Sequence, residues 1–510
     1  MKLERTKNAK RNIAFGLVNK AVTLILPFII RMVIIRQIGA EYLGLDSLFA
    51  SILQILNLTE LGFSSAVIYS MYRPIADNDT DTLCAILRYY RKVYAAIGTI
   101  IFVAGLALLP FLPKLIHGTY PEAINLYVLY LIYLVNTAIS YWLFAYKSSL
   151  LNAYQRQDVI SIINTVVRLT TYLLQIILLV TTHNYYYYAG ALILSSVATN
   201  ICTAILTKKM YPHLFCRGQL GLEVRKDINI KVKGLLIEKL CSTSRNAFDS
   251  VFVSAFLGLT QNAMYNNYYY VLSGVTAILV VFSQSIQAGV GNSIATESIE
   301  KNYQDMTKIN FAYMWLSGMC TACLLCLCQP FMLVSFNDPN LLFSTPTLVL
   351  FCAYFYLLKM GDIRSVYAEA NGLWWYNRHR SVCEAVANVV LNYVLGRFFG
   401  VNGIIAASMI SLFVFNFLWG SNIIFHQYYK GITSREYFLT HAFYAAVTLV
   451  SCTVCYLICV RVPVENLILN MVCRLMICGV VSLAIYFTVY NRTKYYKMCK
   501  PWVLNMIRRR

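Results

Sequence analysis

Charged residues are scarce in this chain, and acidic residues are the scarcest of them. Asp, Glu, Lys and Arg make up 13% of the 510 residues, against about 25% in a typical soluble domain. Hydrophobic residues make up 59%, and they recur in runs long enough to cross about 30 Å of hydrocarbon as helices. The composition excludes a soluble globular protein and predicts an integral membrane protein. Alternating ten-residue segments, typical of a membrane barrel, are absent, so we predict an all-α fold.

The sequence also lacks the motifs of common enzyme classes. It contains no GxxxxGK[ST], HExxH or GxSxG pattern, and its six histidines are scattered. We therefore expect no catalytic residue, no cofactor and no structural metal. The sixteen cysteines lie mostly in apolar segments. We interpret them as small packing residues, including Cys320, Cys323, Cys326 and Cys328.

Fourteen apolar segments are predicted to cross the membrane. They lie at about residues 12–36, 43–71, 93–113, 121–145, 158–181, 186–206, 234–257, 263–289, 309–335, 342–358, 381–396, 402–425, 437–460 and 465–490. The first follows a basic N-terminus, but it is too long for a secretory signal and contains Lys20 and Arg31. We therefore interpret it as a retained span.

Positive charge is distributed unevenly between the connections. With the N-terminus in the cytoplasm, most of the 43 Lys and Arg residues fall in cytoplasmic connections, including the one at 359–380. The external connections hold only Arg36, Lys114, Arg397 and Arg461. This asymmetry predicts an even number of spans with both termini cytoplasmic. The net charge of +21 then reflects topology and attraction to anionic membrane lipids, and no nucleic-acid partner is expected.

A weak internal repeat divides the chain. A shift that sets Lys20 on Lys239 and Gly39 on Gly258 aligns an apolar run before each glycine, with six spans between the copies. Because six is even, both copies share one orientation, as in transporters with two parallel bundles. The predicted domains are an N-terminal six-helix bundle at 1–209, a basic cytoplasmic linker at 210–233, a C-terminal six-helix bundle at 234–428, two additional transmembrane helices at 429–491 and a basic cytoplasmic tail at 492–510.

Several charged and amide side chains lie inside predicted spans in helical register. Charges at the bilayer centre are costly and usually face water or a partner within the bundle. We interpret four cations as lining a water-filled cavity for an anionic substrate: Lys20, Arg31, Lys239 and Arg245. Six further residues are candidate polar residues of the same cavity: Asn57, Glu60, Glu238, Asp249, Glu384 and Asn388. The alternative is that these charges form neutral pairs that lock helices together, as Arg245 and Asp249 could at i, i+4.

The first part of the sequence resembles bacterial polysaccharide and O-antigen export flippases. The segments "IGAEYLGLDSLF", "LNLTELGFSSAVIYSMY" and "RPIA" carry the resemblance, and "DSVFVSAFLG" is similar to the family's seventh helix. These flippases belong to the multidrug/oligosaccharidyl-lipid/polysaccharide (MOP) exporter superfamily. The resemblance implies two parallel six-helix bundles in a V-shaped, MATE-like arrangement, with two extra C-terminal helices that could form a lipid groove.

The resemblance also implies a function. Such flippases translocate oligosaccharides linked to undecaprenyl diphosphate across the cytoplasmic (inner) membrane, for O-antigen, capsule or exopolysaccharide. Their cavity cations meet the diphosphate or acidic sugars, and Lys20, Arg31 and Arg245 are the candidates here. A sodium or proton gradient is the expected energy source, with Asp249, Glu384 and Asn388 as candidate coupling residues and sodium ligands. A glycan polymerase and glycosyltransferases are expected partners.

Two other functions stay open. A cation-coupled multidrug exporter of the same superfamily would favour acidic residues for cationic drugs, and the predicted cavity is basic. A membrane glycan polymerase or ligase would need a sizeable external loop for its active site, and the predicted external connections are short.

Overall fold

The computed structural model describes residues 5–57, 63–118, 120–144, 146–154, 156–222, 225–226, 245 and 247–508. Throughout these ranges the regular secondary structure is helical, without a strand. The chain divides into two compact units, Met1–Ala263 and Met264–Arg510. The predicted all-α membrane fold is confirmed.

The described part of the first unit is built from helices. They are α1 Arg5–Gln37, α2 Ala40–Leu56, α3 Phe63–Ala76, α4 Thr80–Leu108, α5 Leu126–Trp142, α6 Tyr146–Ala153, α7 Gln157–Thr182, α8 Tyr185–Met210, α9 Ala247–Leu257 and the start of α10, Leu259–Thr296. Asparagine and aspartate side chains start several of them: Asp79 caps α4, Asn125 caps α5 and Asn184 caps α8. Each cap satisfies amide donors that have no partner inside the helix.

Within the first unit, α7 packs against both α1 and α8. The core is apolar and aromatic, with Phe49 set edge-on to Tyr130 at 5.4 Å between ring centroids. Gly44 of α2 allows a close approach, because a Cβ there would lie 2.2 Å from the Leu259 carbonyl oxygen. Asn262 Nδ2 donates to the Gly44 carbonyl at 3.1 Å across the same contact.

The second unit is built around α11. Its helices are the rest of α10, α11 Ile299–Phe336, α12 Thr345–Met360, α13 Asp362–Ala370, α14 Trp374–Ser411, a π-helix at Leu412–Trp419, α15 Gly420–Gln427, α16 Ser434–Val460, α17 Leu467–Tyr490 and α18 Lys494–Arg508. Helix α11 packs against α12, α16, α17 and α18. Gly400 (φ 58°, ψ −137°) bends α14 between the eleventh and twelfth predicted spans, a conformation open to glycine.

The number of spans differs from the predicted fourteen. Among the described residues, nine helices are long and apolar enough to cross a membrane, or ten if the bent pair α5 and α6 forms one span. The eleventh and twelfth predicted spans form one helical stretch, Tyr376–Gln427. The second predicted span is divided between α2 and α3, and much of the seventh lies outside the described residues. The count of fourteen is not confirmed.

The division between the units falls after Ala263, later than the predicted start of the second bundle at residue 234. Contacts of the seventh predicted span and of the start of α10 account for this position. The His117 amide donates to the Ser254 carbonyl at 2.9 Å, and Asn262 binds Gly44 in α2. The boundaries of the predicted domains stay a prediction.

Candidate functional site

Polar side chains of α4 to α8 surround a cavity of about 340 Å³ in the first unit. The lining residues that the structure describes are Tyr94, Ser140, Tyr141, Ser148, Asn164, Arg168, Ser195, Ser196, Thr199 and Asn200. Most of these carry hydroxyl or amide groups, none is acidic, and Arg168 is the one charged residue among them. A hydroxyl-rich cavity with one cation is unusual inside an apolar helical bundle, where polar side chains are costly unless they serve packing or a ligand.

The register of α7 places Asn164 and Arg168 on one face, four residues apart. Helix α1 holds the neighbouring face of α7. Asn19 Nδ2 donates to the Ser161 carbonyl at 3.3 Å and to Thr165 Oγ1 at 3.1 Å. Because α1 covers that side of α7, Asn164 and Arg168 are left to line the cavity.

Hydrogen bonds also fix the aromatic wall of the cavity. Tyr141 OH donates to Asn57 Oδ1 at 3.2 Å. The ring centroids of Tyr94 and Tyr141 lie 5.5 Å apart. The predicted cavity residue Asn57 therefore supports a residue that lines the cavity. Ser196 Oγ donates to Asn136 Oδ1 at 2.7 Å, which orients the α8 side of the wall.

The Arg168 guanidinium is available to a ligand. Its side chain is exposed, and no ion pair involves it among the residues that the structure describes. A guanidinium presents a planar fork of donors that matches the oxygens of a phosphate or carboxylate group. The cavity can therefore bind a polyhydroxylated molecule that carries negative charge.

The predicted cations of α1 have different surroundings. Lys20 is exposed, whereas Arg31 is half-buried and interacts electrostatically with Asp46. Tyr133 OH donates to Asp46 Oδ1 at 2.5 Å and lies 3.1 Å from Tyr185 OH. Eleven residues of helix separate the two cations by about 16 Å along the axis. They share a face, but they cannot bind one phosphate group together, and Arg31 has an anionic neighbour.

The hydrogen bond from Tyr133 to Asp46 supports a stability prediction. A hydrogen bond to a charged group contributes about 1.5–3 kcal/mol to stability, whereas a hydrogen bond between neutral groups contributes about 1 kcal/mol. Tyr133→Phe should therefore lower the apparent melting temperature of the purified protein more than Tyr130→Phe does. Tyr130 is the matched control, because its OH donates to the Gly105 carbonyl at 3.3 Å. Equal shifts, measured by thermal unfolding in detergent, would argue against a charge-assisted bond.

The seventh predicted span is described in part. Glu60, Glu238 and Lys239 lie outside the described residues. Arg245 and Asp249 are buried in the first unit, and neither lines the polar cavity. Their roles in substrate binding and coupling stay predictions.

In the second unit, the predicted residues of span eleven are buried in a polar network. Glu384 Oε2 accepts from Arg380 Nη1 at 2.9 Å, and Asn388 Nδ2 donates to Ser408 Oγ at 2.9 Å. Asn392 Nδ2 donates to Asn388 Oδ1 at 3.3 Å. Glu384 therefore has a cationic partner on its own helix. The predicted sodium site that includes Asp249, Glu384 and Asn388 stays a prediction.

Two buried cations were missed by the sequence analysis, which placed Lys359 and Arg364 in a cytoplasmic connection. Both are 2% exposed. Lys359 Nζ lies 2.8 Å from Asp362 Oδ2, and Arg364 Nη2 donates to Asn416 Oδ1 in the π-helix at 2.9 Å. A Cβ at Gly420 would lie 2.1 Å from Arg364 Nη1, so this glycine leaves room for the guanidinium.

A helical pattern after Gly361 is the signal that would have found these cations. Ile363, Val366 and Tyr367 recur at helical spacing and are all buried. The segment is therefore a packed helix, α13, in which Arg364 has an internal partner, Asn416.

A second cavity, of about 310 Å³, lies between α11, α12 and α16 in the second unit. Its lining is mostly apolar and includes Leu325, Val349, Ala353, Leu449 and Leu457. The chemistry of this lining suits a hydrocarbon chain.

Comparison with known proteins supports the fold. A family model described as "Polysaccharide biosynthesis protein" matches residues 9–286, and no curated protein matches the sequence. The chain is similar to the solved structure of the lipid II flippase MurJ in an inward closed conformation, with 14% identity and a TM-score of 0.68, over 94% of this chain and 99% of that one.

Two other solved structures are similar. An inward-facing multidrug resistance MATE family transporter of the MOP superfamily has 15% identity and a TM-score of 0.63, over 82% of this chain and 99% of that one. A MOP superfamily transporter from Pyrococcus furiosus, described as having a binding pocket of reverse polarity, has 14% identity and a TM-score of 0.55, over 82% of this chain and 96% of that one. The likeness is one of fold. The chain is a multi-pass membrane protein of the polysaccharide biosynthesis protein family, with a fold similar to those of the MurJ and MATE structures.

Proposed function

We propose that this protein is a non-enzymatic flippase for lipid-linked oligosaccharides. Its substrate would be a sugar chain on undecaprenyl diphosphate, moved across the bacterial cytoplasmic membrane for a surface polysaccharide. Membership of the polysaccharide biosynthesis family supports the biological setting. The MOP fold supports movement of a substrate across the membrane by alternating access.

The polar cavity of the first unit is the observation that carries this proposal. Its serines, threonine and asparagines offer both donors and acceptors, which match the hydroxyl groups of a sugar. Arg168 supplies one positive charge for a diphosphate or an acidic sugar. Inside a membrane protein, such a lining replaces the water that a glycan loses on leaving the cytoplasm.

The apolar cavity of the second unit supports the proposal that the substrate has a lipid tail. A polyprenyl tail is hydrocarbon and gains nothing from a polar lining, so it would stay in the bilayer or in an apolar cavity such as the one beside Leu449. A sodium or proton gradient is the proposed energy source, and glycosyltransferases and a glycan polymerase are the proposed partners.

The multidrug exporter is the nearest alternative. A cavity for cationic drugs is expected to contain carboxylates, and the lining residues of the polar cavity that the structure describes include an arginine and no acid. This charge favours an anionic substrate. The polymerase or ligase stays the alternative from another class.

Deletion of the gene in its own bacterium tests the three functions. The flippase proposal predicts loss of the surface glycan, with complete lipid-linked oligosaccharide accumulating on the cytoplasmic face. The wild-type gene should restore the surface glycan. Short unpolymerised units on the outer surface would point to a polymerase. A normal glycan with new sensitivity to cationic drugs would point to an exporter, and either result would overturn the proposal.

A further inference from the structure

Three buried cysteines from three helices converge in the second unit. They are Cys326 of α11, Cys459 of α16 and Cys478 of α17. Their sulfur atoms all lie within 4.8 Å of one another, and the Cys459 and Cys478 sulfurs are 3.9 Å apart. All three are free thiols. The sequence interpretation treated Cys326 as a packing residue because it lies in an apolar span without nearby histidine or acidic residues. The partners come from other helices.

This spacing fits a metal ion. Metal to thiolate bonds of about 2.3 Å place three sulfurs in a trigonal arrangement about 4 Å apart. The observed separations therefore need only small side-chain movements to surround one ion. Thiolates select soft ions such as Cu(I), and also Zn(II).

Arg474 is an independent observation at the same place. It lies on α17 four residues before Cys478, and its Nη1 donates to the Cys326 carbonyl at 3.1 Å. Its Nε is buried without a hydrogen-bond partner, and the guanidinium interacts electrostatically with Cys459. Within the described ranges, no carboxylate pairs with Arg474. A cation inside a span needs a negative partner, and bound thiolates provide one.

We propose that Cys326, Cys459 and Cys478 bind a thiophilic metal ion, Zn(II) or Cu(I), with Arg474 as the counter-charge. Binding displaces the thiol protons to solvent. Three thiolates, one Zn(II) and the guanidinium sum to zero charge, which suits a site inside the membrane. The ion would fasten α16 and α17, the two helices that follow the predicted second bundle, to α11. This proposal does not depend on the transported substrate.

Metal titration of the full-length protein tests the proposal. The protein is purified in detergent under reducing conditions, stripped with a chelator, and titrated with Zn(II) or Cu(I) against a competing chelator. We expect one equivalent of one of these ions to bind, with a rise in melting temperature. Cys459→Ser and Cys478→Ser should each weaken binding by at least about tenfold, and Arg474→Gln should weaken it less.

Cys84→Ser is the matched control, because Cys84 is equally buried but lies in the first unit. Should the cluster variants fail to fold, thiolate-to-metal charge-transfer absorption of the wild-type protein gives an independent readout. Absence of stoichiometric binding and of that absorption would show that the three thiols only pack. If Cys84→Ser lost as much metal affinity as the cluster variants, the proposal would also be overturned.

Discussion

Arg168→Gln is expected to reduce glycan export by about ten- to a hundredfold. Arg168 is the one charged residue among the described residues that line the polar cavity. A hydrogen bond to a charged group is worth about 1.5–3 kcal/mol, and about 1.4 kcal/mol corresponds to a tenfold change in rate. Export is measured as surface glycan formed per unit time by variants that complement the deletion strain, normalised to the amount of protein in the membrane.

Two further variants separate charge from structure. Arg168→Lys keeps the charge but loses the planar fork, so we expect an intermediate rate. Arg397→Gln is the matched control, because Arg397 is an exposed arginine whose Nη1 lies 3.3 Å from Tyr393 OH, away from both cavities. Normal export by a correctly inserted Arg168→Gln protein would remove Arg168 from the substrate site.

Gly403→Ala should destabilise the second unit strongly. A Cβ at Gly403 would lie 1.9 Å from the carbonyl oxygen of Leu395, and backbone atoms cannot move aside as a flexible side chain can. The neighbouring Asn402 accepts a hydrogen bond from Thr347 Oγ1 at 2.8 Å, which holds this part of α14 against α12. Overpacking of this kind costs about 1–3 kcal/mol or more.

Thermal unfolding of the purified variants measures this effect. Gly479→Ala is the control, since Gly479 also lies in a long helix but a Cβ there would meet nothing within 4 Å. We expect Gly403→Ala to lower the melting temperature by several degrees or to abolish folding, and Gly479→Ala to change it little. A Gly403→Ala protein as stable as Gly479→Ala would contradict the geometry of the α14 bend.

Periodic features of the sequence predicted the fold well because they depend only on residues that are close together in the sequence. Apolar runs of span length predicted the helices, and the gap between the eleventh and twelfth predicted spans fell on the bend at Gly400. Helical register also placed Lys20 and Arg31 on one face of α1. Register alone could not show that Asp46 lies near Arg31, because α2 brings that carboxylate from another part of the chain.

The candidate site depended on tertiary packing, and here the sequence was less informative. Arg168 was not among the four cations that the sequence analysis assigned to a cavity, because the cavity it lines is built from five helices and has no periodic pattern. Arg364 was assigned to the connection at 359–380, whereas it lies in a packed helix, α13, that follows α12 directly after Gly361. Cys326 meets its partners only through the packing of α11 against α16 and α17.

Reconstitution of the purified protein in liposomes tests the central claim most directly. A short oligosaccharide on a polyprenyl diphosphate is placed in one leaflet, and its exposure on the other is followed with and without a sodium or proton gradient. We predict rapid translocation by the wild-type protein, at least about tenfold slower translocation by Arg168→Gln, and normal rates for Arg397→Gln. Transport of cationic drugs without movement of any such lipid would contradict the flippase assignment.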